Sequence, residues 1–205
     1  MDNRYLNILF VFCLAFFQSC APVSVNPDEF ISYCGNEENG LIQKRTFNNI
    51  SYSLKYEPIE YKAINELNDT HLAISKQNFD SLKKEYEGLV YIVFKIENTG
   101  SNKSPVKSIA RTEQDLSKLT QYCQSNLSND FYLESGDRKI PAVIFHIEDD
   151  YSLSNFNLMS MAFDSKQIDA DKDLVFVHND PFFNNGPIKF SISKETIKKL
   201  PKINI

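Results

Sequence analysis

The residues predict a mainly β protein with helices, of the α+β class: an antiparallel β-sandwich, Ig-like in character, with two appended helices. Three observations carry that expectation. Apolar residues alternate with period two in several short stretches between residues 50 and 192. Two helical periodicities are inserted among the strands instead of alternating with them, which does not build βαβ units. Aromatic residues make up 13% of the chain, with no Trp, enough for a real core.

In chain order, Ile50, Tyr52, Leu54 and Tyr56 alternate with Ser51, Ser53 and Lys55, a half-buried strand stopped by Pro58. Residues 59–67 are ambiguous, with room for a helical turn. Asn78 is the expected N-cap of a helix carrying Phe79, Leu82 and Tyr86 on one face and ending at Gly88. Residues 89–97, LVYIVFKIE, have one wholly apolar face and a second that is apolar at its start, so a central strand is expected. Thr112 and Asp115 form an acidic capping box for a second helix, with Leu116, Leu119, Cys123 and Leu127 at helical spacing. Residues 131–133 and 140–148, about a turn at 135–138, read as a hairpin. Further short strands are expected at 158–163, 174–178 and 188–192, and a closing helical turn at 194–200.

Ahead of all this, residues 5–17 form an apolar run broken only by Asn7. About 20 apolar residues are needed to span a bilayer as a helix, so the run has the size of a signal-peptide core. Phe17-Gln18-Ser19-Cys20 follows, and it resembles the lipobox of bacterial lipoproteins in the looser form of Bacteroidetes. That resemblance implies cleavage before Cys20, acylation of its thiol (palmitate or a similar chain), and attachment to the membrane through Cys20. Ala21 is not the acidic residue linked with inner-membrane retention, so the resemblance implies the outer membrane. Gly40, Leu41, Tyr52, Leu54, Tyr56, Pro58, Glu60 and Tyr61 also resemble the opening of uncharacterised Bacteroidetes lipoproteins, and that likeness implies no activity. The expected organisation is a signal peptide over residues 1–19, an extended tether over 20–32, and one β-rich domain over 33–205.

The chain has 205 residues and a formal charge of −5. Removing residues 1–19 takes away Asp2 and Arg4 together and leaves that charge unchanged. The acidic balance, without a basic cluster, speaks against nucleic acid as a partner. Cys34 and Cys123 remain for an oxidising compartment, as a disulfide or as two free thiols.

Candidate chemistry is sparse. His146 and Glu148 share one strand face, and with His178 from a neighbouring strand they would make an open zinc site. Asp169, Asp171 and Asp173 resemble the start of a calcium loop, but Leu174 stands where that loop needs Gly. Cys123 would need an electropositive, accessible setting to act as a nucleophile. Tyr151 and Phe156, with Phe182 and Phe183, are expected in loops that either bind a ligand or plug the sandwich ends. Asp80-Ser81-Leu82 resembles the Bacteroidetes O-glycosylation signal. No familiar catalytic signature occurs, and no cofactor is expected. The expectation is therefore a non-catalytic, lipid-anchored envelope module that binds or assembles with a protein partner. The alternative is a glycan-binding or glycan-processing accessory lipoprotein.

Overall fold

The computed structural model describes residues 24–148 and 154–205. The expected signal peptide, Cys20 and Tyr151 lie outside those residues. Eleven strands occur among the described residues: β1 (Ser24–Val25), β2 (Ile42–Phe47), β3 (Ile50–Glu57), β4 (Leu89–Asn98), β5 (Phe131–Ser135), β6 (Arg138–Pro141), β7 (Ile144–Glu148), β8 (Phe156–Asp164), β9 (Leu174–Asn179), β10 (Pro187–Ile192) and β11 (Lys202–Ile203). The helices are α1 (Pro27–Gly35), α2 (Ile59–Asp69), α3 (Lys76–Tyr86), α4 (Pro105–Ser108), α5 (Glu113–Ser125) and α6 (Lys194–Lys198).

The apolar β4 lies in the middle of a five-stranded antiparallel sheet ordered β2-β3-β4-β8-β7. A second antiparallel sheet, ordered β10-β9-β5-β6, faces it. Alternation sends Tyr52, Leu54, Ile92, Phe94, Met159, Met161 and Phe163 inward from the first sheet. Phe131, Leu133, Ile140, Phe176 and Phe190 meet them from the second. Phe94 sits at the junction, its ring 5.3 Å from Phe176, 5.5 Å from Phe131 and 6.1 Å from Phe190. Along one side the sheets are stitched by Gln43, whose Nε2 donates to the Ser191 carbonyl at 2.6 Å. The expected α+β sandwich is therefore the fold, with six helices among the described residues in place of the two expected.

The added helices form a second core. Phe30, Cys34, Leu41, Ala63, Ile64, Leu67 and Phe79 are buried together, drawn from α1, α2, α3 and the chain before β2. Residues 24–32, expected in the tether, belong to this layer. β1 pairs in parallel with β11, and α1 buries Phe30 and Cys34. The reason is local: Asn26 accepts from the Glu29 N–H, Glu29 accepts from the Asn26 N–H, and Pro27 occupies the first helical position. That capping box is legible in the sequence as N-P-D-E.

Other boundaries shift for similar reasons. The ambiguous 59–67 stretch is α2, started after Pro58 and packed on α3. The cap of α3 is Ser75, whose side chain accepts from the Asn78 N–H, and not Asn78 itself. The expected strand over 140–148 is two strands: β6 completes a hairpin with β5, and the chain crosses after Pro141 so that β7 joins the other sheet. β2 had been missed because Gln43, Lys44 and Arg45 break its alternation.

Candidate functional site

The sequence-derived candidates do not converge. His146 projects from β7 in the five-stranded sheet, whereas His178 lies on β9 in the facing sheet, 0% exposed. The zinc arrangement would need those strands to be neighbours, and they are not. His178 instead stacks on Phe131 with ring centroids 4.4 Å apart and packs 5.1 Å from Phe94. Neither of its nitrogens reaches a hydrogen-bond partner. Burial pushes its pKa down to about 4; the Asp180 charge and the Asp130 backbone oppose that shift, the latter outside hydrogen-bond geometry.

The three aspartates serve the turn before β9. Asp169 accepts from the Asp171 N–H at 3.0 Å and pairs with Lys172 at 3.6 Å, while Asp173 accepts from the Lys194 N–H at 3.0 Å. Leu174 starts the strand. Among the described residues no three His, Cys, Asp or Glu side chains are grouped to hold a metal ion.

Cys34 and Cys123 are free and belong to different clusters, Cys34 in the helical layer and Cys123 against the sandwich core. Burial pushes the Cys34 thiol up to about 12. It also raises that of Cys123, against an opposing pull from Lys107. A thiol held protonated is a poor nucleophile. Phe156 belongs to β8, not to a loop, half-buried with the Lys95 ammonium 5.4 Å from its ring. Phe182 and Phe183 pack back on the core, and Phe182 meets Tyr122 edge-on at 6.1 Å. Asp180 sets that loop: its Oδ1 accepts from the Phe182 and Phe183 N–H groups, and its Oδ2 accepts from the Tyr52 hydroxyl at 3.0 Å. These phenylalanines close one end of the sandwich while remaining partly exposed.

What remains open is the region where α5 meets β7. Thr112 and Asp115 start α5 with the expected reciprocal cap. The helix is only loosely covered, however, and buries no residue fully. Leu116, on its apolar stripe, is 40% exposed, and Ile109 just before the helix is 38% exposed. Beneath α5 a cleft of about 260 Å³ is floored by Val106, Leu119, Cys123 and Ile147, with Lys107, Gln124, Glu148 and Asn157 at its rim. Asn157 Oδ1 accepts from Ser104 Oγ and from the Val106 N–H, both at 3.1 Å, and so ties α4 to the sheet.

The other wall of the cleft is β7, an outer strand paired only with β8. Outer strands expose unpaired backbone groups, and proteins guard them with Lys, Arg or Pro. β2 carries Lys44 and Arg45, β6 carries Arg138, Lys139 and Pro141, and β10 carries Pro187 and Lys189. β7, with sequence IFHIE, has none of these, and its one charge is Glu148 at the end of the strand. Val143 and Ile144 at its start are 54% and 53% exposed. Such a sparsely guarded edge beside an apolar cleft can accept an added strand through backbone hydrogen bonds.

The comparisons with known proteins add little. No family model matches the chain, and no curated protein matches it. Among solved structures it is similar to the crystal structure of a DUF4426 family protein from Pseudomonas aeruginosa PAO1, at 11% identity and a TM-score of 0.35, over 74% of this chain and 91% of that one.

The sequence reading missed β7 as a site because it merged that strand with β6. The absence of Lys, Arg and Pro between residues 142 and 148 was visible, but it acquires meaning only once β7 is known to be an edge.

Proposed function

We propose that the chain is a lipid-anchored cell-envelope protein, held at the outer membrane through Cys20, that grips an extended segment of a protein partner along β7. The observation that carries this reading is the β7 edge, free of Lys, Arg and Pro, next to the half-covered α5. The partner's backbone would extend the five-stranded sheet, and its alternate apolar side chains would enter the cleft over Val106, Leu119 and Ile147. The lipobox-like segment supports the anchoring half independently. Several acyl chains give near-permanent attachment, because each buried CH₂ contributes about 0.8 kcal/mol.

A photoreactive residue at position 144 of the full chain tests the docking half. It is expected to cross-link one protein in intact envelopes, whereas the same probe at Lys44 on β2 is expected to give none. Ile144→Lys should weaken capture of that protein at least tenfold, equivalent to about 1.4 kcal/mol, while leaving the thermal midpoint in place, since Ile144 faces solvent. Identical cross-link patterns from positions 144 and 44 would reject the docking strand.

Cys20→Ser tests the anchor. The variant is expected to leave the membrane fraction, and intact-mass measurement of the unmutated chain should show acyl groups on residue 20. An unmodified thiol at that position would reject the anchor and leave the β7 test standing.

A further inference from the structure

The two ends of the sandwich are finished differently. Phe182, Phe183 and Tyr122 close the end that carries residues 180–187. At the opposite end β3 and β8 stop, β4 and β9 begin, and a cavity of about 280 Å³ opens between the sheets. Its walls are Tyr56, Val90, Ile168, Leu174 and Ile197, with Ala170 at the edge. Leu174 is part of the sandwich core, so the cavity reaches the apolar interior.

The mouth also has a sign. Lys172, Lys194 and Lys198 line it against a single lining carboxylate, Asp169. Asp169 pairs with Lys172 at 3.6 Å. Lys194 Nζ donates to a neutral acceptor, the Asp171 carbonyl, at 2.9 Å, while its backbone N–H goes to Asp173. Lys198 is exposed at the last position of α6. Two ammonium groups thus stand over an apolar hole in a chain whose formal charge is −5.

We propose that this mouth binds a free medium-chain fatty acid, with its alkyl chain between the sheets and its carboxylate at Lys194 and Lys198. Ligand sites are common in the mouths of β-barrels, and a volume of about 280 Å³, just below the usual range of roughly 300–1,000 Å³, suits a medium chain better than a long one. The ammonium pair supplies orientation, and the walls supply affinity of about fourfold for each methylene buried.

The test is photolabelling of the full chain in its membrane with a diazirine derivative of decanoic acid, read by peptide mass spectrometry. Adducts are expected on the segments holding Tyr56, Ile168 and Ile197. Competition by hexanoate, octanoate and decanoate should strengthen about fourfold per methylene, and decanoate should compete at least tenfold better than decanol. Lys194→Met combined with Lys198→Met should abolish the preference for decanoate over decanol while labelling persists, which also shows that the variant is folded. Adducts scattered over the surface or confined to the α5–β7 cleft would overturn the proposal. So would equal competition by decanoate and decanol in the unmutated chain.

Discussion

Phe94→Ala is expected to lower the stability of the folded chain by about 3–5 kcal/mol, measured as a shift in the denaturant midpoint at constant slope. Phe94 belongs to the middle strand of the larger sheet and is 0% exposed. Its ring lies within 6.2 Å of the rings of Tyr52, Phe131, Phe176, His178 and Phe190. Truncation would remove contacts to both sheets at once and leave a cavity with no single neighbour able to fill it. A loss below about 1 kcal/mol, the range of an exposed or easily repacked site, would show that the two sheets do not share one aromatic core. Phe94→Leu should recover part of the loss because it keeps most of the apolar volume.

The second expected result concerns acid. An imidazole in the unfolded chain titrates near 6.5, whereas that of His178 is pushed down to about 4 in the fold by burial among Phe131, Phe94 and Tyr52. Between those values the unfolded chain binds a proton that the folded chain refuses. Stability from this group is therefore constant above pH 6.5, falls as the pH drops toward 4, and levels off below that. At about 1.4 kcal/mol per unit the full loss is about 3 kcal/mol.

His178→Phe should remove this acid slope and add stability at neutral pH, because it replaces two unsatisfied buried nitrogens with carbon in an aromatic setting. Asp130 works in the opposite sense. Burial, reinforced by the Asp180 charge, raises its carboxyl pKa, so its contribution grows on acidification. The difference between the unmutated and His178→Phe profiles isolates the histidine. Parallel profiles from pH 7 to 4 would show that the protonated His178 meets a hydrogen-bond acceptor or water in the folded state.

Much of the architecture was legible because its signals are local. Residues 89–97 announced a central strand through two apolar faces, and β4 is central. Thr112 and Asp115 announced a reciprocal cap, and both hydrogen bonds form. The same signal stands at Asn26 and Glu29, within the stretch expected as an extended tether. The candidate sites fared worse for a different reason. His146 and His178 each carry suitable chemistry, but a ligand set is a statement about which strands are neighbours. The role of Asp180 in holding the Phe182–Phe183 plug through Tyr52 spans 128 residues of chain and leaves no local signal.

From the sequence alone came the sandwich class and the inward face of most strands, since each depends on periodicity within a few residues. The tertiary structure alone decided that β7 leaves the β5–β6 hairpin for the opposite sheet, that the stretch without Lys, Arg or Pro lies on an edge, and that one end of the sandwich is plugged while the other opens under lysines. Those outcomes depend on pairings such as Leu89 with Asp164. Alternation tells a strand which side to bury, but it does not encode which strand will lie beside it.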